Sequence, residues 1–236
     1  MQISQTPIDR NCAESEIFNE LLTLDGKHIL ELGCGAAMHT RAIAAEGRDR
    51  YITATEVDQR QHAKNLLIDD LPNVTFLLAG AESIPEQDQS VDIVMMFKSL
   101  HHVPGDLLDE ALREINRVLK PGGLAYISEP VYGGAFNDIV RLFHDEKLVR
   151  EAAFAVLQRA VDTNLFSLVD EVFFNSPVYF EDFNDFEHKV LNVTHTDHTL
   201  SDETFNQVRD LFLQHMQPDG AHFLAPMRVD LLQKPQ

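Results

Sequence analysis

The stretch HILELGCGAAMHT (28–40) decides how this chain folds. It opens as a short apolar run, stops at Leu32, turns on Gly33 and Gly35, and continues as an amphipathic helix carrying Met38, Ala42, Ile43 and Ala45. Glycine tolerates backbone angles and close approach that a side chain would block, and the helix start brings N–H groups to the turn. The acid Glu56 lies 23 residues beyond Gly33, at the end of a second apolar run, RYITATEV (50–57). A carboxylate at the end of a second strand can accept from both hydroxyls of a ribose.

Working outward, NVTFLL (73–78), VDIVMMF (91–97) and GLAYIS (123–128) are further apolar runs of strand length. Helical patterns separate them: residues 38–46, residues 59–71 before Pro72, and residues 106–119, whose Leu107, Leu108, Leu112, Ile115, Val118 and Leu119 make a face at helical spacing. Lys120-Pro121-Gly122-Gly123 marks the end of that helix. Residues 9–24 read as one more helix, closed by Asp25-Gly26. Alternating strands and helices imply an α/β fold: a Rossmann-like, doubly wound sheet with helices on both faces. The runs are continuously apolar, as buried parallel strands should be.

The second half reads differently. Residues 135–172 look helical, and phenylalanine becomes dense from Phe136 to Phe186. FEHKVLNVTH (186–195) alternates roughly with period two, as a strand does. SDETFNQVRDLFLQHM (201–216) reads as a helix with Ser201 as N-cap and acids in its first turn. HFLAPMRVDLL (222–232) reads as a final strand, with Pro226 marking an edge or bulge.

Composition narrows the function classes. The chain has 236 residues, 44% hydrophobic, enough for one large domain with a buried core. Nineteen bases against 38 acids give a net charge of −19. Such acidity repels phosphate backbones and anionic lipid, so neither nucleic acid nor a membrane is an expected partner. There is no apolar run of about 18 residues. The polar start MQISQTPIDRNCAESE lacks a secretion signal, and two cysteines are too few for a disulfide framework, so the expected location is cytoplasmic.

Two residues discriminate between ligands. A dinucleotide site wants a third glycine at position 38, where Met38 stands. Glu31 precedes the turn and would repel a pyrophosphate but attract an ammonium group. S-adenosylmethionine carries an ammonium, a ribose and an adenine, and no phosphate. The residue chemistry leans towards it.

Five motifs in order carry a resemblance over residues 20–130: ELGCG (31–35), TEVD (55–58), AGAESIP (79–85), SVDIVMMFKSLHHV (90–103) and ALREINRVLKPGGLAYISEP (111–130). The sequence resembles the class I S-adenosylmethionine-dependent methyltransferases, in the small-molecule subgroup that includes the ubiquinone and menaquinone methyltransferases. The resemblance implies a seven-stranded, mostly parallel sheet with one antiparallel strand, residues 186–195 and 222–232 being the terminal antiparallel pair. It implies that Glu31 takes the amino end of methionine, that Gly33, Cys34 and Gly35 lie under the ligand, and that Glu56 holds the ribose with Val57 against adenine. Ala81 and Glu82 would bracket the adenine edge, with Phe97 and Lys98 closing the site. The sequence departs from the pattern at Ala36-Ala37, in place of a third glycine, at Gly80, in place of an aspartate, and at Lys98, a cation near a sulfonium. Asp58 is the alternative ribose acid; Glu56 is preferred because it leaves Val57 in the apolar slot.

A sulfonium donor is already activated, so the protein mainly aligns donor and acceptor, and a general base is needed only for a protonated nucleophile. His101 and His102 after the fourth strand and Glu129 after the fifth are the catalytic candidates, with Tyr132 as a substrate-binding candidate. HTDH (195–198) lacks a recognisable third or fourth ligand, so no metal is expected. Cys34 is assigned no nucleophilic role. The expected organisation is a single domain: an N-terminal helical lid segment (1–26), a cofactor-binding core (27–130), a helical substrate lid (131–185) and a completing segment (186–236). The expected partner is a small-molecule methyl acceptor, the product S-adenosylhomocysteine, with homodimerisation left open. The competing readings are a binding module of the same fold without turnover, motivated by Gly80 and Lys98, a nicotinamide oxidoreductase, and a methyltransferase with a macromolecular acceptor.

Overall fold

The structure is a computed structural model and describes residues 1–192 and 200–236. Strands β1 (His28–Leu32), β2 (Tyr51–Glu56), β3 (Val74–Leu78), β4 (Val91–Phe97), β5 (Leu119–Pro130), β6 (Ser167–Phe180), β7 (Met216–Gln217) and β8 (Gly220–Gln233) form one sheet. Their spatial order is β3-β2-β1-β4-β5-β8-β6, with the short β7 paired to β8. The first five run parallel, and β8 is antiparallel to both β5 and β6. The order reverses between β1 and β4, and a crevice opens at the carboxyl ends of strands at such a point.

The alternation of side chains sends each central strand to two cores. Leu30, Leu32, Val94, Met96, Ala125 and Ile127 face α4 (Leu108–Val118) and α6 (Lys147–Asp162). Ile29, Ile93, Met95, Phe97 and Tyr126 face α1 (Glu14–Leu21) and α2 (Met38–Ala45). Helix α4 shows why the sequence folds so: Leu108, Ala111, Leu112, Ile115 and Val118 recur every three or four residues and are all buried. Helix α3 (Gln59–Asn65) is capped by Asp58, whose carboxylate accepts from the Arg60 N–H.

A third core belongs to the second half. Phe180, Phe186, Phe212 and Phe223 pack with Ile139, Leu191, Val208 and Ala221 between β6, β8, α5 (Gly134–Val140), α7 (Phe183–Phe186) and α8 (Asp202–Leu213). The Phe186 and Phe212 rings lie 5.0 Å apart. Ser201 caps α8 by accepting from the Thr204 N–H at 3.2 Å.

Three expectations are corrected here. Residues 135–172 are not one helical stretch: α5 and α6 occupy 134–162, and β6 follows. The segment 131–185 is therefore only half helical, and its remainder is a strand of the main sheet. Residues 186–191 form α7's end and one turn of π-helix (Glu187–Leu191) rather than a strand, so the antiparallel partner of β8 is β6. Phe183, Phe186 and Val190 recur at three and four residues and pack on one cluster, a helical spacing that outweighs the period-two pattern. HTDH (195–198) lies outside the described residues.

Candidate cofactor and acceptor site

The turn after β1 is held by its neighbours. Gly33 and Cys34 donate their N–H groups to the Thr55 carbonyl, at 3.0 and 2.8 Å, and Gly35 donates to Glu56 Oε2 at 2.8 Å. Those three donors are used within the protein, so the turn offers a bare backbone surface rather than a phosphate cradle. Gly33 has φ +74°, and a Cβ there would sit 2.7 Å from Ser99 Cβ. Ser99 is itself fixed, its hydroxyl donating to the Leu32 carbonyl at 2.8 Å. The missing third glycine leaves a trace: Ala37 takes φ +61°, the conformation a glycine would adopt without strain.

Glu31 is buried at the end of β1, where Thr40 Oγ1 donates to its carboxyl at 2.5 Å. Burial outweighs that hydrogen bond and pushes its pKa up to about 8. Glu56 is also buried; Oε1 accepts from the N–H groups of Val57 and Asp58, at 2.8 and 2.9 Å. These bonds aim the carboxylate back at the glycine turn, whereas Asp58 is committed to its helix cap. Burial and the nearby Glu31 and Glu56 carboxylates hold the Cys34 thiol protonated, well above its ordinary range.

On the adenine side, Val57 is 66% exposed and Met38 68% exposed, two apolar side chains left open beside the turn. Ala81 is buried. A Cβ on Gly80 would collide with both carboxylate oxygens of Glu82. The Glu82 carboxyl thus occupies the space of the absent aspartate side chain. Phe97 is buried and stacks on His39, ring centroids 4.2 Å apart. Burial, with the charge of Lys98, lowers the pKa of His39 to about 4, so this ring is neutral. Lys98 itself is exposed, with φ +53°.

Beside this cleft lies a cavity of about 770 Å³ reached by Met38, His39, Lys98, His101 and His102. His101 is buried, with Nδ1 bonded to Glu129 and Nε2 lying 3.5 Å from Glu146 Oε1. Glu129 also accepts from the Leu100 N–H at 2.9 Å. Burial disfavours charge on His101, but the two carboxylates prevail and raise its pKa to about 9. Glu146 is partly buried, yet His101 and Arg150 hold its carboxyl below the usual range. His102 is largely exposed, and its surroundings and the charged His101 lower its pKa. His101, His102 and Glu146 bring three donor atoms within 4.8 Å of one another, a set that could hold a metal ion. Arg150 and the charged His101 already offset Glu146 and Glu129, so a divalent ion would add uncompensated charge.

The structure brings Gly33, Cys34, Gly35 and Glu56 together around one turn, with Glu31 before it and Val57 beside Glu56, and pairs His101 with Glu129. Tyr132 lines a smaller cavity of about 170 Å³ with Glu129, Lys147, Arg150 and Arg228, which shares Pro130, Val131 and Arg150 with the larger one. Sequence reasoning missed Thr40, Asn65, Ser99, Asn137, Glu146 and Arg150. Asn65 donates to the Gly35 carbonyl at 2.8 Å and so pins the turn. Glu146 and Arg150 are legible as an i,i+4 pair, but not as partners of a histidine 45 residues away.

Residues 29–123 match the family described as "Methyltransferase domain". The methyltransferase GfsG of Streptomyces halstedii is 29% identical over 129 residues, 52% of this chain and 45% of that protein. A ubiquinone biosynthesis O-methyltransferase of Coxiella burnetii is 27% identical over 120 residues, 50% of each. The chain spans about half the length of these curated relatives. The YcgJ protein of Bacillus subtilis shares the fold at 17% identity, with a TM-score of 0.64 over 94% of this chain and 97% of that one. No helix among the described residues is long and apolar enough to cross a membrane. The matched stretch, residues 29–123, contains the glycine turn and the strands β1 and β4 between which the sheet order reverses, so the domain match and the strand order agree.

Proposed function

We propose that the chain transfers a methyl group from S-adenosylmethionine to a small-molecule acceptor held in the larger cavity. The observation that carries this reading is the carboxylate pair flanking a glycine turn whose Gly33, Cys34 and Gly35 N–H groups are already satisfied. Such a site suits a cationic amino-acid nucleoside and not a diphosphate. When bound, the cofactor supplies a methyl group on a positively charged sulfur.

The protein's own residues would hold and align it. Glu31, neutral when buried alone, regains its charge beside an ammonium group. Glu56 Oε2, which accepts only from the Gly35 N–H, has a lone pair left for a ribose hydroxyl. Val57 and Ala81 supply apolar contact to the adenine, and Glu82 supplies the acceptor that Gly80 lacks. That substitution weakens the case for a binding module without turnover. Phe97 and His39 wall the cleft, and Lys98 sits at the acceptor boundary.

On the acceptor side, Glu129 is a positioning residue that orients His101 and keeps it charged. His101 then favours an anionic acceptor atom, and neutral His102 can take a proton where the acceptor arrives protonated. Proximity supplies most of the acceleration, since the donor needs no further activation. No metal enters this scheme. The segment from α5 to α7 covers the acceptor.

Calorimetry decides the cofactor. S-adenosylmethionine and S-adenosylhomocysteine should bind saturably, and NADH should not. Saturable NADH binding with neither nucleoside bound would overturn the reading.

A further inference from the structure

If the larger cavity holds the acceptor, as just proposed, its wall reveals the acceptor's chemistry. The whole chain has twice as many acids as bases, 38 against 19. The wall inverts that balance: Lys98, His101, Arg150 and Lys189 line it, against Glu14 and Glu146. Both acids are occupied, and of the bases His101 is paired with Glu129, Arg150 with Glu146 and Lys189 with Asp185. Glu146 accepts from Arg150 Nη2 at 2.6 Å, and Glu14 accepts from the Tyr126 hydroxyl at 2.6 Å.

Two donors of residues in that wall are not occupied; both atoms are covered, so an acceptor in the cavity reaches them once the Arg150 and Asn137 side chains turn. Arg150 Nε and Asn137 Nδ2 are buried and have no partner among the described residues. The two side chains are joined, Arg150 Nη1 donating to Asn137 Oδ1 at 2.9 Å, which leaves the amide NH₂ as the unused end. A buried donor without a partner carries its full desolvation cost. Since both orphans are donors, the ligand that relieves them is an acceptor. An ionised carboxylate accepts only, and its bonds to a guanidinium are charge-assisted. Much of the remaining wall is apolar, with Val131, Phe136, Val140, Val178, Phe180 and Met227. A volume of about 770 Å³ leaves room for a sizeable apolar body.

We propose that the acceptor is an amphipathic organic acid, whose oxyanion accepts from Arg150 Nε and Asn137 Nδ2 and whose apolar body lies against Phe136, Val178 and Phe180. Lys98, which forms no salt bridge among the described residues, adds a positive charge at the cofactor end. A strongly acidic protein thereby keeps a local attraction for an anion that its net charge repels at longer range.

The test uses the full chain saturated with S-adenosylhomocysteine and three probes: decanoate, the isosteric neutral decanamide, and pentachlorophenolate as an aryl oxyanion. Decanoate should bind about tenfold or more tightly than decanamide. The ranking of decanoate and pentachlorophenolate identifies which kind of oxyanion fits. Asn137→Asp keeps an oxygen for Arg150 Nη1 but replaces the orphan donor with a negative oxygen, so it should abolish the acid's advantage and leave S-adenosylhomocysteine affinity unchanged. Lys98→Met, at an exposed position, should weaken both oxyanions several-fold. Equal binding of acid and amide, no binding of any probe, or an acid preference that survives Asn137→Asp would overturn the proposal. Failure of S-adenosylhomocysteine itself to bind sinks the methyltransferase reading instead, and the acid–amide comparison, repeated without it, still decides the cavity.

Discussion

Strand β4 buries six of its seven residues, whereas β6, in the same sheet, buries only Phe174 and Phe180 of fourteen. The first lies between two helical layers and reads as an uninterrupted apolar run. The second is an edge, and Asp170, Glu171 and Pro177 on it discourage further strand pairing. Part of that edge is covered by the N-terminal segment, where the Asn175 N–H donates to the Arg10 carbonyl and the Cys12 N–H donates to the Asn175 carbonyl. The first half is thus stabilised by strands packed on both faces, and the second half by an aromatic cluster on one end of a long antiparallel pair. The difference separates a layer written in continuous apolar runs from one held by rings that meet across the fold.

The largest expected effect tests whether the halves are one cooperative unit. Phe212→Ala removes a fully buried ring from the second-half cluster and should cost about 3–5 kcal/mol in denaturant unfolding. Because β5, β8 and β6 share continuous hydrogen bonding, a single transition at lower midpoint is expected. An early separate transition would show that the halves unfold independently.

Glu56→Ala attacks only the first half. It should weaken S-adenosylmethionine by roughly 100-fold, about 3 kcal/mol, in calorimetry, with the acid–amide preference of the cavity retained. Gly33→Ala should destabilise by about 2 kcal/mol, from the left-handed backbone and the contact with Ser99, and Ser99→Gly should restore part of it.

A pH series separates the halves in another way. His101 faces Glu129 from β5, Glu146 at the start of α6, the adjacent His102, and, through Glu146, Arg150 and His144. Its folded pKa, raised to about 9 from 6.5, means that the folded state holds this proton more tightly. The stabilisation is fully present below about 6.5 and is lost as pH rises through 9. Tm should therefore fall between pH 7 and pH 9.5 (roughly this window by linkage), and His101→Asn should flatten that fall. An unchanged slope in the variant would remove His101 from the account. The smallest effect is Ala37→Gly, which relieves the left-handed strain and should raise stability by at most about 1 kcal/mol in thermal unfolding.

Much of the first half was legible because its signals are local. HILELGCG places a strand and a turn within eight residues, and Glu56 follows at the end of the next strand. Helix α4 declares its buried face through spacing alone. The second half was misread where local pattern competed with distant pairing. FEHKVLNVTH alternates like a strand, yet its start packs as helix because Phe186 and Leu191 join the cluster with Phe180, Phe212 and Phe223. Strand β6 was hidden because a one-sided edge strand carries no continuous apolar run.

The sequence by itself determined the sheet's parallel half, the ligand class of its turn and the acids that flank it, since each depends on residues close in the chain. Only the tertiary structure decided that Glu82 fills the place of an aspartate, that Glu129 and Glu146 hold His101 charged, and that Arg150 and Asn137 keep unused donors in one wall. Those facts join the ends of separate strands and helices. Burial and charge there depend on which side chains meet across the fold, and spacing along the chain does not encode that.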